Sequence, residues 1–271
     1  MILTSNFSKT EFTRNNNKKK TSLSFYIISI LIFLRVFVIE HYIVPSESMS
    51  RTMENGDIVL AKKYHGFSRM SIPFIGGMLP FLKNPIFAQE PKRGEVICFS
   101  LESEPQKLYT KRIIGVGGDL VQVKEGIIYI NDTPLKMTQK GTYNLLHDNG
   151  TTTTMNVFEV EISENKKYEV LRKQELNDTD RASDNTPVFK VPKDHVFCIG
   201  DNMHYSHDFR FFTFTSFLHK NRIIAKPFII IFGSKYRNNA NVSWSQWIIR
   251  LPYSILMSIV NVRFNRVGKE I

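Results

Sequence analysis

The chain has 271 residues, 42% of them hydrophobic and 23% charged, which suits one main globular core and excludes a mostly disordered or collagen-like chain. With 36 Lys and Arg against 25 Asp and Glu the net charge is +11, so an anionic partner is expected, either nucleic acid or an anionic membrane surface. Cys98 and Cys198 are the only cysteines, which excludes a disulfide framework and a zinc-finger pattern.

Residues 1–22 are basic, with Arg14, Lys18, Lys19 and Lys20 preceding an apolar run from Leu23 to Ile39. As a helix that run covers roughly 25 Å, the short end of a membrane span. The positive-inside rule places residues 1–22 in the cytoplasm and everything after about residue 41 outside. A cleaved signal peptide and a buried core helix are the alternatives, but the first alanine of the chain is Ala61, so small residues for a cleavage site are lacking. An uncleaved anchor over 23–39 is the reading adopted.

From Ile58 onward the apolar runs are short and rich in β-branched residues: Ile58-Val-Leu, Val96-Ile-Cys-Phe, Ile113-Ile, Leu120-Val-Gln-Val, Ile127-Ile-Tyr-Ile, Val157 to Ile162, Val188 to Val191, Val196-Phe-Cys-Ile, Ile223-Ile and Phe228 to Phe232. Turn signals such as Asn55-Gly-Asp, Lys92-Arg-Gly and Lys124-Glu-Gly separate them, which predicts an all-β, mainly antiparallel domain over 40–235. Residues 72–82 form an apolar stretch broken by Pro and Gly, either a core ribbon or a membrane-dipping loop. The polar stretch from Thr138 to Pro187 reads as an insertion with its own hairpin and a mobile tip near Asn149-Gly150. The tail 236–271 reads as a separate segment. Within it Trp244, Trp247, Ile248, Leu251, Ile255 and Ile259 recur at helical spacing, as an interfacial amphipathic helix or a stripe packed on the protein's own core.

Three clusters can carry chemistry: Pro45-Ser-Glu-Ser-Met49, Tyr109-Thr-Lys-Arg112, and Gly200-Asp-Asn-Met-His-Tyr-Ser-His-Asp-Phe-Arg210. A serine becomes a nucleophile only when a base takes its proton, and that base is a histidine or a neutral amine. A lysine amine, at about pKa 10.4 in water, serves only if burial disfavours its charged form. Lys111, flanked by Leu108, Tyr109, Ile113 and Ile114, can lie against an apolar wall on a strand. The rivals are Ser206 or Ser48 with His204 or His207 and Asp208, and a metal site built on His204-x-x-His207-Asp208. The Gly115-Val-Gly-Gly-Asp turn lacks the lysine and hydroxyl of a phosphate loop and is read as a tight β-turn.

Taken in order, an N-terminal anchor, Pro-Ser-x-Ser-Met just beyond it, Pro91-Lys-Arg-Gly-Glu95, Tyr-x-Lys-Arg-x-x-Gly-x-Gly-Gly-Asp and Gly-Asp-Asn-x-x-x-Ser-x-Asp-x-Arg resemble bacterial type I signal peptidases over roughly residues 24 to 235. The resemblance implies an all-β catalytic domain with one N-terminal transmembrane helix, acting at the outer face of the cytoplasmic membrane on exported preproteins, with no cofactor and no metal. It implies Ser48 as nucleophile, Lys111 as general base, and Ser46 with the backbone N–H of Ser48 as oxyanion hole. Ser206 matches a lysine-orienting serine, and Asp208, Arg210 and Arg112 a charged group behind the site. Asp201 and Asn202 are expected to shape the turn entering the last loop. Val44, Pro45, Met49, Met53 and Tyr109 match the lining of shallow pockets for small residues.

The chain departs from the family pattern at Arg51, where proline is usual and whose replacement is expected to loosen the turn after the nucleophile, and at Thr110, Met203 and Phe209. The basic surface is expected to rest on anionic lipid. The rival of another class is a catalytically inactive membrane-anchored β-domain that binds exported partners. Nucleic-acid binding is disfavoured, because the basic residues are dispersed and no recognition helix is evident. Cys98 and Cys198 are expected as buried free thiols, or as one bridge if their strands are neighbours.

Overall fold

A computed structural model describes residues 24–30, 33, 38–63, 89–105, 107–147, 150–211, 217–233 and 263–271. The short β-branched runs read from the sequence lie in strands, except that of Val188 to Val191 only Phe189 and Lys190 do. In chain order these are β1 (Ile39–Ile43), β2 (Asp57–Lys63), β3 (Val96–Ser100), β4 (Leu108–Val116), β5 (Leu120–Lys124), β6 (Ile127–Ile130), β7 (Thr133–Pro134), β8 (Lys136–Leu146), β9 (Thr152–Ser163), β10 (Lys166–Lys173), β11 (Phe189–Lys190), β12 (His195–Ile199), β13 (Leu218–His219) and β14 (Ile223–Gly233). Among the described residues, helix is confined to α1 (24–30, with residue 33) and the six-residue α2 (Asp178–Ser183), apart from single 3-10 turns.

The strands form three antiparallel sheets: β1-β2-β14-β3-β4-β12-β13, β11-β5-β6-β7 and β10-β9-β8. Two-residue turns join β5 to β6 and β6 to β7. Glu125 and Gly126 have φ of 51° and 76°, and Asn131 and Asp132 have 51° and 61°, the left-handed pairs whose twist matches that of a hairpin. The main core lies where β3, β4 and β12 face β5, β6 and the insertion strands. There Ile97, Phe99, Ile113, Phe197 and Phe209 are fully buried beside Val121, Ile128 and Val160. Each such side chain is worth about 1.5–3 kcal/mol of transfer free energy. A second cluster of Val44, Met49, Met53, Val59, Val96 and Ile230 sits beneath the chain that follows β1.

Several expectations change. Ile223-Ile and Phe228 to Phe232 belong to one central strand, β14, despite Pro227 between them. Pro227 stands opposite Ala61 at the point where the ladder to β2 skips a residue, and pairing with β3 ends at Ala225, so the proline sits at an irregularity of the strand. The insertion begins at Lys136 and is a three-stranded meander followed by α2, not a single hairpin, because Lys166–Lys173 pairs with β9 along its whole length. Asp148 and Asn149 of its tip lie outside the described residues. The tail is not wholly separate: residues 263–271 return to β14, where Ile229 bridges Glu270.

Cys98 and Cys198 are both free and buried. They sit on β3 and β12, which flank β4 on opposite sides, so no bridge joins them. Among the described residues no helix is long and apolar enough to cross a membrane. Of the anchor expected over 23–39, the helical part α1 is exposed, and most of the remainder lies outside the described residues. So do residues 72–82 and the stripe 244–259.

Candidate active site

The chain leaves edge strand β1, passes Val44 and Pro45, and makes a single 3-10 turn over Glu47–Met49. That turn leaves the Ser48 side chain buried while Ser46 and Pro45 remain exposed. β4 lies alongside β3 and β12, so its middle residues are covered on both edges. Lys111 there is 3% exposed, and its Nζ donates a 2.7 Å hydrogen bond to Ser48 Oγ. Burial drives the Lys111 ammonium down from 10.5 to about 8, Asp208 opposing this and Arg210 reinforcing it. A buried amine that is partly neutral near physiological pH, touching a hydroxyl, is the arrangement that activates a serine. Ser46 Oγ lies 3.3 Å from Ser48 Oγ.

The charged groups behind the dyad form two pairs, not the single group expected. Arg112 bonds Asp201 at 2.8 and 2.7 Å, while Arg210 Nε and Nη2 donate to Asp208 at 2.8 and 3.0 Å. All four residues are buried, so each charge is compensated in place. Burial alone would raise the Asp208 carboxyl, but Arg210 and the Gly200 N–H together hold it below the usual carboxylate range. Asp201 does more than shape a turn, since it also accepts from Thr52 Oγ1 at 2.5 Å.

Asn202 ties the last loop to the nucleophile turn. Its N–H donates to Ser48 O at 3.0 Å and its Nδ2 to Glu47 O at 3.1 Å. Gly200 has to be glycine, because a Cβ there would stand 2.2 Å from Ser206 Oγ and 2.6 Å from Ser48 O. Sequence reading missed Thr52 and the tethering role of Asn202. Their partners are distant in the chain, and only the Gly-Asp-Asn run gave any signal.

Other expected residues fall differently. Ser206 Oγ is buried and has no hydrogen-bond partner among the described residues, so the bond expected to Lys111 is not made. The hydroxyl is instead packed over Gly200. Met49 and Met53 are 1% and 0% exposed. They fill the second core, below any surface a bound chain can touch, and Val44 joins them there. Tyr109 is half-buried, stacked on Phe99, with its hydroxyl donating to Glu104.

Pro45 and Ser46 line an open cleft of about 640 Å³ with Glu47, His147, Thr151, Thr153 and Tyr205. The histidine rival has its groups committed elsewhere: His204 contacts Asp184 at 3.1 Å and accepts from Lys173 N–H, and His207 is exposed. Ser48 has lysine, not histidine, as its bonded base.

A family model described as signal peptidase, peptidase S26, matches residues 18–232. The chain is similar to proteins named signal peptidase I from Rickettsia conorii, 30% identical over 97% of this chain and 98% of that one, and from Rickettsia prowazekii, 31% identical over 95% and 96%. A solved signal peptidase I from Enterococcus faecalis is 19% identical, covering 51% of this chain and 97% of that one at a TM-score of 0.29, too slight a likeness to add to the argument. With a family model spanning most of its length, the chain belongs to the signal peptidase family, peptidase S26, and is a serine peptidase.

Proposed function

We propose that this protein removes the signal peptides of exported preproteins, cutting after small residues with a Ser48/Lys111 dyad. The observation that carries the reading is the buried 2.7 Å contact between Lys111 Nζ and Ser48 Oγ. Neutral Lys111 takes the Ser48 proton as Oγ attacks the scissile carbonyl carbon, and the negative charge develops on the carbonyl oxygen. The Ser48 N–H and the Ser46 hydroxyl are the donors assigned to that oxygen. The ammonium then protonates the leaving amine, the mature chain departs, and an ester joins Ser48 to the signal peptide. The same amine deprotonates a water that hydrolyses the ester.

Ser206, whose buried hydroxyl has no partner among the described residues, is assigned to steady the amine as its charge changes. The Asp208–Arg210 and Arg112–Asp201 pairs hold the two loops against β4. The substrate is read as an extended strand on β1, which among the described residues pairs only with β2 and leads directly to Ser48. Pro45 and Tyr109 remain the candidates beside its small residues.

A membrane setting is supported by the exposed apolar side chains of Phe25, Tyr26, Ile27, Ile28 and Ile30 on α1 and by the net charge of +11, which favours anionic lipid. The reading places residues 1–22 in the cytoplasm, 23–39 across the inner membrane and the catalytic domain in the periplasm.

The test is cleavage of a detergent-solubilised preprotein with an Ala-x-Ala site by wild type, Ser48→Ala and Lys111→Ala, each checked for folding by circular dichroism. Release of the signal by wild type alone is the expected result. Equal behaviour of all three overturns the dyad and favours a binding domain without chemistry.

A further inference from the structure

The turn after the nucleophile has a backbone that proline cannot adopt. Arg51, at the position where the family pattern has proline, has φ of +77°, whereas a proline ring holds φ near −65°. A bulky residue in the left-handed region is strained and persists only where its surroundings over-determine it. The surroundings here do so. Arg51 N–H donates to Glu54 Oε1 at 3.0 Å, its Nε donates to Glu169 Oε2 at 2.9 Å, and its guanidinium lies 5.2 Å from the Tyr143 ring centre. Its carbonyl accepts from Lys269 Nζ at 2.7 Å.

Lys269 belongs to the last residues of the chain, 263–271, and two neighbours act on the same turn. Arg266 Nη2 donates to Thr52 O at 3.2 Å and Arg263 Nη2 to Asn55 O at 2.9 Å. Three cations of one short segment therefore take three carbonyls of the turn that follows Ser48. Both arginines also bind Asp57, at 2.8 and 2.7 Å. Asp57 is fully buried and accepts the Glu54 N–H at 2.8 Å. The segment is anchored to β14 in turn, with Ile230 N–H donating to Lys269 O at 3.0 Å and Gly268 N–H to Ile230 O at 2.8 Å. Ile271 packs on the cluster that contains Met49 and Met53.

We propose that residues 263–271 are a positioning strap for the nucleophile: Arg266 and Lys269 hold the left-handed turn at Arg51 and so keep Ser48 Oγ on Lys111 Nζ. The strap supplies from the chain terminus the rigidity that a proline would supply locally. Its contacts are with the turn that follows Ser48 and with β14, so it acts on kcat through geometry. The proposal rests on the Ser48/Lys111 reading.

The test compares full-length wild type, Arg266→Ala, Arg266→Lys, Lys269→Ala and Ser48→Ala in detergent, measuring kcat, KM, the pH profile of kcat and the melting temperature. Arg266→Ala is expected to lower kcat by between about tenfold and a hundredfold, with KM held within about twofold. Its acid limb is expected to move to higher pH as the loosened site admits water to Lys111. Arg266→Lys recovers much of the loss, and Lys269→Ala costs a smaller factor, about threefold to tenfold, in line with one hydrogen bond.

Wild-type kcat and acid limb in both alanine variants overturn the strap, as does a loss that merely equals the fraction unfolded at the assay temperature. If Arg266→Ala does not fold, Arg266→Lys and Lys269→Ala decide by the same two readouts. A wild type that does not cleave, or a Ser48→Ala chain that cleaves as well, overturns the peptidase reading and the strap with it.

Discussion

The seven-stranded sheet and the insertion sheet β10-β9-β8 both carry charged side chains, yet they treat them in opposite ways. Around Glu161 of the insertion the ions stand in water: Lys136 and Lys167 meet it at 3.1 and 2.7 Å with 69% and 49% of the lysine side chains exposed. Around β4, Lys111, Arg112, Asp201, Asp208 and Arg210 are all buried within one cluster. Similar contact distances therefore mean different things. Solvent screens the first set to little net effect, whereas burial makes the second set able to change the protonation of an amine.

The sharpest way to break that contrast is at the dyad. Lys111→Ala should lower kcat by about 10⁴-fold or more, because the buried hydroxyl then has no base, and single-turnover cleavage of a preprotein measures it. Next in size is Asp208→Ala. It leaves Arg210 as an uncompensated charge in the interior, a loss of about 3–5 kcal/mol that denaturant unfolding reads directly.

The third prediction concerns pH. Burial lowers Lys111 to about 8, so kcat should rise with pH through that value and level off above it. Stability has a definite sign as well. Between about 8 and its ordinary 10.5, Lys111 binds a proton in the unfolded chain but not in the folded one, so this group's contribution to stability rises with pH across the window. Below it the folded protein carries the full cost of the buried amine. Lys111→Met should therefore be more stable than wild type at neutral pH, by an amount on the order of 3 kcal/mol, and the gain should shrink as pH approaches 10.5. A melting temperature at or below that of wild type at pH 7 would sink this account. Smallest of all, Lys136→Ala on the insertion should leave the melting temperature unchanged within measurement scatter and insensitive to added salt.

Much of this was legible along the chain. The strands announced themselves as short β-branched runs, and Ser48 and Lys111 by the motifs around them. Contacts between distant residues were not legible. Nothing local says that Arg112 pairs with Asp201 and not Asp208, since the choice depends on which side of β4 each guanidinium leaves. Met49 and Met53 look like pocket residues when read beside Ser48, but a 3-10 turn puts Met49 in the core and the turn after it brings Met53 there too. The two cysteines lie in similar strands, and only the order of those strands keeps them apart.

Along the chain, hydrophobic period and residue chemistry already point to an antiparallel β domain, to Ser48 and Lys111 as the proposed reactive pair, and to a turn at Glu125-Gly126. Tertiary structure decided the rest. The fall of Lys111 to about 8 exists only because strands on both sides of β4 exclude water, and the hold on Arg51 comes from Glu54, Glu169 and Lys269, which reach it only in the folded chain. Burial and long-range contact are properties of the assembled chain, and no local run of residues contains them.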